Sequence, residues 1–347
     1  MRKHCLILTL ILSFGLAGVV WAFDSVKTVS KGKLSGRITG MDSTKIDLEQ
    51  GLGGVLQEVP VNEIQAVDYE AEPADLRAAK RHALDGHYAD ALAALERLKE
   101  KPVRREMQQD VEFYRALCSA RLALGGSMKI VDAGRMMKGF ADANPQSYHY
   151  LEASETVGDL LVALGQYAQA AEYYARLEGA PWPDYKMRAG VDTGRALLAQ
   201  GKAREAAALF DKVLATDAEG DLAQVQRTAA SLGKASAVVA LKRPAEAIAI
   251  VDKIIQKGDP EDAPLMARAY NVLGAAQRQA GHVKEALLAF LHVDILYASV
   301  PEAHAEALAN LAELWQQVHN TDRANRARQT LEELYKDSPW AKKKDKP

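Results

Sequence analysis

The sequence predicts a mainly α-helical protein: an αα-hairpin solenoid preceded by a small five-stranded β-barrel-like segment. Three observations predict it. Hydrophobic residues make up 48% of the 347-residue chain but aromatics only 6%, and this Ala-rich mix suits closely packed helices better than a sandwich. Apolar residues alternate with period two before Tyr69 and follow a helical period after Pro73. A short turn motif then recurs along the helical part, and such self-similarity marks stacked repeats. The formal net charge of −2, with 26% charged residues, gives no basic excess for nucleic acid and no acidic excess for a disordered chain.

Residues 1–22 read as a signal peptide. Arg2, Lys3 and His4 form a basic start, an apolar run follows from Cys5 to Val20, and Val20-Trp21-Ala22 offers small residues for cleavage after Ala22. The apolar run is shorter than the ~20 residues that span a bilayer, which sets cleavage above the alternative of an N-terminal inner-membrane anchor. Cys5 stands too early for a lipoprotein cysteine. Beyond the leader only Cys118 remains, so no internal disulfide forms. Its setting, Phe113-Tyr114-Arg115-Ala116-Leu117-Cys118, predicts a small core residue.

Residues 23–70 form the β segment. Alternation marks strands around Val26–Val29, Leu34–Ile38, Lys45–Leu48, Val55–Val59 and Gln65–Tyr69. Lys31-Gly32, Gly40 to Ser43 and Gly51 to Gly54 supply turns, and Pro60 to Ile64 fits one short helical turn. This pattern, with Val59-Pro60-Val61-Asn62-Glu63-Ile64 before the last strand, resembles Sm-like or SH3-like small barrels. Some such barrels bind RNA or peptides, but fold does not carry function. Here Lys27, Lys31, Lys33 and Arg37 lack the interleaved aromatics of a nucleic-acid reader. The Gly51–Gly54 run lacks the Lys-Ser or Lys-Thr of a phosphate loop.

From Pro73 the sub-pattern Gly-x-Tyr-x-x-Ala appears at Gly86-His87-Tyr88-Ala89-Asp90-Ala91 and at Gly165-Gln166-Tyr167-Ala168-Gln169-Ala170. Looser copies start at Gly201 and Gly281, and a degenerate one at Lys242. Seven residues before the last four turn residues stand Gly158, Gly194, Ala235 and Gly274; nine after them stand Tyr174, Phe210, Val251 and Phe290. A turn glycine accepts positive φ and ends the first helix. A small residue lets helices approach, and the bulky one fills the gap between hairpins. These residues resemble the turn and second helix of tetratricopeptide repeats. Seven units follow at 73–101, 107–145, 147–179, 184–217, 222–258, 264–298 and 302–336, ahead of a basic tail at 337–347. Alanines 170, 206, 247 and 286 are spaced by 36, 41 and 39, against a usual period of ~34, so the connecting loops are longer. The layout also resembles exported bacterial proteins of a planctomycete-like type, a group that implies architecture and no activity.

No chemistry-bearing constellation emerges. Of the eight histidines, His4 lies in the leader; His82, His87, His149, His282, His292, His304 and His319 form no His-x-x-x-His pair. His82 and His87, five apart, fall on different faces of a continuous helix. No Gly-x-Ser-x-Gly elbow occurs. The expectation is no catalytic residue, no metal, no cofactor and no nucleic-acid partner. The resemblance implies instead a groove lined by first helices that holds a partner peptide or helix. By repeat position, Arg188, Arg195, Arg268, Asn271 and Arg278 face that groove, and arginines there suit carboxylates. The alternatives are a self-associating envelope component and, lower, a hydrolase or glycan-acting enzyme. The expected location is the periplasm or outside.

Overall fold

The computed structural model describes residues 23–51, 54–98 and 104–342. The expected leader, residues 1–22, and the lysines at 343, 344 and 346 lie outside these residues. Five strands open the fold: β1 (Asp24–Thr28), β2 (Gly32–Met41), β3 (Lys45–Gln50), β4 (Val55–Pro60) and β5 (Ile64–Asp68). A single 3-10 turn, Val61–Glu63, precedes β5. All pairings are antiparallel, for example Val26 opposite Leu34 and Ile46 opposite Val59. The order is β4-β3-β2-β1-β5. The outer strands β4 and β5 are edges, so the sheet is not closed into the expected barrel. Closure is unnecessary for burial, because the helices cover the apolar face. Val26, Ile46, Leu48, Val59 and Val67 share one core with Leu76, Ala79, Ala91, Met107 and Phe113.

The helices are α1 (Ala74–Leu84), α2 (Tyr88–Glu96), α3 (Arg105–Leu124), α4 (Ile130–Ala143), α5 (Tyr150–Ala163), α6 (Tyr167–Glu178), α7 (Pro183–Ala199) and α8 (Ala203–Leu214). Then come α9 (Asp221–Ala240), α10 (Pro244–Lys257), α11 (Ala263–Gln279), α12 (Val283–Leu296), α13 (Pro301–Gln317), α14 (Thr321–Tyr335) and the short α15 (Pro339–Lys342). Successive helices pack as hairpins, α1 on α2 through α13 on α14. They form a tetratricopeptide-like αα-hairpin solenoid.

The turn residues explain where each hairpin reverses. Gly86, Gly165, Gly201 and Gly281 have φ of 78°, 73°, 79° and 83°, and Lys242 adopts 63° in the degenerate copy. The small residues explain how closely the helices pack. A Cβ on Gly158 would lie 2.3 Å from the Tyr174 ring, and one on Gly274 would lie 2.7 Å from that of Phe290. The bulky residue therefore sits first on the small residue of its own hairpin. Phe210 does both jobs, meeting Gly194 of its own hairpin and Gly233 of the next. Cys118 is fully buried, and burial pushes its thiol up to about 12, which makes it an unreactive core residue.

Candidate functional site

Most first helices also touch one another: α3 and α5, α5 and α7, α7 and α9, α9 and α11, α11 and α13. The series closes, because α13 also touches α3. Two glycines permit this approach. A Cβ on Gly125 would lie 2.3 Å from Cβ of Pro301, and one on Gly126 would lie 2.2 Å from the Ser338 backbone. Asp337 N–H donates to the Gly126 carbonyl at 3.0 Å, and Ser127 Oγ donates to the Leu334 carbonyl at 2.9 Å. The first helices from α3 to α13 thus form a ring with an inner face.

Charged side chains from several of these helices converge on that face. Arg188 Nε donates to Glu155 Oε1 at 2.7 Å, linking α7 to α5. Arg195 lies 3.2 Å from Asp192 Oδ1, and Arg121 lies 3.9 Å from Asp159 Oδ2. Tyr174 Oη donates to Asp159 Oδ1 at 2.9 Å, so the aromatic seated on Gly158 also fixes a carboxylate of the face. Desolvation opposes the Arg195 charge, but Asp159 and Asp192 overcome it and raise its pKa. Asp192 goes the other way: burial first, and the Glu155 carboxylate next, push it well above the usual carboxylate range.

Arg268 differs from these. The residue is exposed, although the helices around it crowd its guanidinium and reduce its hydration. That desolvation, then the charge of Arg195 and after it that of Arg121, hold it below the usual arginine range against the opposing carboxylates of Glu302 and Asp159. Among the described residues, its guanidinium makes no hydrogen bond or ion pair.

The five sequence-predicted residues therefore separate. Arg188, Arg195 and Arg268 share the inner face with Arg121. Asn271 is buried at 2% exposure, where its Nδ2 donates to the Ala303 carbonyl at 2.9 Å and so ties α11 to α13. Arg278 donates to Asn310 Oδ1 at 3.0 Å and pairs with Glu313 at 2.5 Å, again bridging to α13. Sequence reasoning missed Arg121, which stands in the second unit, where the turn motif is too degenerate to give a register.

It also missed a sealed polar cluster at the joint between sheet and helices. Lys80 Nζ lies 2.5 Å from Glu72 Oε1, 2.5 Å from Asp110 Oδ2 and 2.7 Å from the Val67 carbonyl. Asp110 Oδ1 meets His149 Nε2 at 3.1 Å and accepts from Tyr148 Oη at 3.3 Å and Tyr69 Oη at 3.4 Å. All of these residues are buried. Burial opposes the Asp110 charge, but Lys80 and then His149 hold its carboxyl below the usual range. Asn62 Nδ2 donates to Asp184 Oδ1 at 3.1 Å, so the β segment also reaches the fourth hairpin.

Residues 191–263 match the tetratricopeptide repeat family model. No curated protein matches the chain. Among solved structures, a tetratricopeptide repeat protein from Parabacteroides merdae aligns at 16% identity over 75% of this chain and 91% of its own, with a TM-score of 0.46. The C-terminal part of a repeat-containing protein from Cytophaga hutchinsonii aligns at 16% identity over 78% of this chain and 100% of its own, with a TM-score of 0.37. A Rap protein complexed with competence and sporulation factor aligns at 14% identity over 78% of each chain, with a TM-score of 0.43. No helix among the described residues is long and apolar enough to cross a membrane.

Proposed function

We propose that the protein is a non-catalytic interaction scaffold of the cell envelope, exported by the 1–22 leader, that binds a carboxylate-bearing peptide segment on the inner face of its solenoid. One observation carries the reading: Arg268 is exposed, makes no hydrogen bond or ion pair among the described residues, and stands beside Arg195 and Arg121. An exposed guanidinium without a direct partner is free to take an incoming carboxylate through two parallel N–H···O bonds. Tetratricopeptide stacks of this type commonly serve protein binding, which supports the same class.

Affinity capture with the intact chain from a native cell extract, read by mass spectrometry, tests the scaffold reading. Reproducible recovery of one protein supports it; recovery of the bait alone contradicts it. A second reading, self-association, is favoured by the outer side of α12, where Leu288, Ile295 and Leu296 are 50%, 70% and 62% exposed. Light scattering over a concentration series separates the two, because only self-association gives a mass that rises with concentration.

A further inference from the structure

The turn of the first hairpin brings together three side chains that a continuous helix would hold apart. α1 ends at Leu84, Gly86 takes φ of 78°, and His87 caps the start of α2. The His87 N–H donates back to the His82 carbonyl at 2.8 Å. This backbone bond folds the two histidines side by side, with ring centroids 6.3 Å apart. Asp90 stands within the first turn of α2. One ligand atom from each of His82, His87 and Asp90 lies within 4.8 Å of the other two. His82 is half-buried and the other two are exposed. None of the three side chains makes a hydrogen bond or ion pair with a described residue.

The sixth hairpin shows independently that this turn delivers these positions to contact. There Gly281 has φ of 83° and the His282 N–H donates to the Gln277 carbonyl at 2.9 Å. The side chains at the same two positions meet, His282 Nδ1 to Gln277 Oε1, at 2.8 Å. In the first hairpin the pair is two imidazoles facing a carboxylate, so the turn presents three lone-pair donors in place of one hydrogen bond.

We propose that His82, His87 and Asp90 form a site for a divalent first-row transition metal such as Zn²⁺. Two nitrogen donors and one carboxylate oxygen match the preference of that class. Mg²⁺ and Ca²⁺ require oxygen shells and do not fit this donor set. Three protein ligands leave a coordination position for water or for a group from another molecule. The metal joins the end of α1 to the start of α2, so binding stabilises the folded chain by mass action.

The test is calorimetric titration of Zn²⁺ into the untagged, chelator-treated full chain, with thermal unfolding followed in parallel. The expected result is uptake at a site that raises Tm. That uptake weakens at least about tenfold in His82→Ala, His87→Ala and Asp90→Asn, since losing a ligand costs no less than losing an outer-shell partner. His282→Ala, at the equivalent turn of the sixth hairpin, retains it. All three site positions are solvent-accessible, and circular dichroism checks that each variant folds. Absence of Zn²⁺ uptake overturns the proposal. So does uptake that the three variants retain, or equal uptake of Mg²⁺.

Discussion

Two clusters of charge sit inside this molecule, and they are built on opposite plans. Around Asp110, every strong charge meets its complement: Lys80 lies 2.5 Å from both Asp110 and Glu72, and His149, Tyr148 and Tyr69 complete the shell. Around Arg268, the cations of α3, α7 and α11 crowd one another among the carboxylates of Glu302 and Asp159, and Arg268 makes no hydrogen bond or ion pair with a described residue. The first cluster lies where β5, α1, α3 and the start of α5 join, and it is closed to solvent. The second lies on the inner face and keeps solvent contact. Charge paired and sealed at a joint fixes a geometry; an exposed guanidinium with no direct partner among the described residues is available to a ligand.

The largest effect tests the sealed side. Lys80→Met leaves buried Asp110 without its lysine and Glu72 with only the Arg77 guanidinium, 3.7 Å away, and destabilises the fold by about 3–5 kcal/mol. The sign of the pH dependence follows from Asp110. Its carboxyl is held below the usual range in the wild type, so its contribution is present at neutral pH and lost as pH falls through that lowered pKa. In Lys80→Met the carboxylates take up protons more readily, so the penalty is greatest at neutral pH and shrinks toward acid. Urea unfolding at pH 7 and pH 4 checks both parts.

Next comes the packing that supports the open side. Gly158→Ala drives a methyl into the Tyr174 ring, 2.3 Å away, and such overpacking costs about 1–3 kcal/mol. It also displaces the hydroxyl that holds Asp159. Gly139→Ala in α4 meets nothing within 4 Å and stabilises by about 0.8–1 kcal/mol through helix propensity. Opposite signs in thermal unfolding are the expected outcome.

Asp192→Asn sharpens the contrast further. The Asp192 carboxyl is raised in the folded state, so wild-type stability falls as pH climbs from the unfolded carboxylate range toward the folded value. Removing the group raises stability at neutral pH and matters less near pH 4. Equal effects at both pH values contradict the assigned direction. The smallest effect belongs to Arg268→Ala, within about 0.5 kcal/mol in stability, since no described partner is left unpaired.

The hairpins were legible because their local chemistry is compulsory. A chain reversal between close helices needs a left-handed residue, so Gly86, Gly165, Gly201 and Gly281 announce it, and even Lys242 obeys it at φ 63°. Gly158 with Tyr174 and Gly274 with Phe290 were legible for the same reason: closeness demands a missing side chain. Alternation revealed the strands but not whether the sheet closes, because an apolar face reads alike under a barrel or under helices. The His82–His87 pair was misread as lying on two faces because the helix was carried through Gly86. Repeat position placed Asn271 on the groove, but position alone does not separate an open face from the seam with the next helix. The Asp110 network joins Glu72 to His149 across three helices, and no local pattern encodes that.

The most direct test of the central claim compares partner retention by the intact chain and by the Arg121→Ala/Arg195→Ala/Arg268→Ala variant, with Tm measured on both. Loss of the captured partner at a closely similar Tm is the result expected of an inner face built for binding. Undiminished retention by the variant would contradict it and place the partner elsewhere on the solenoid.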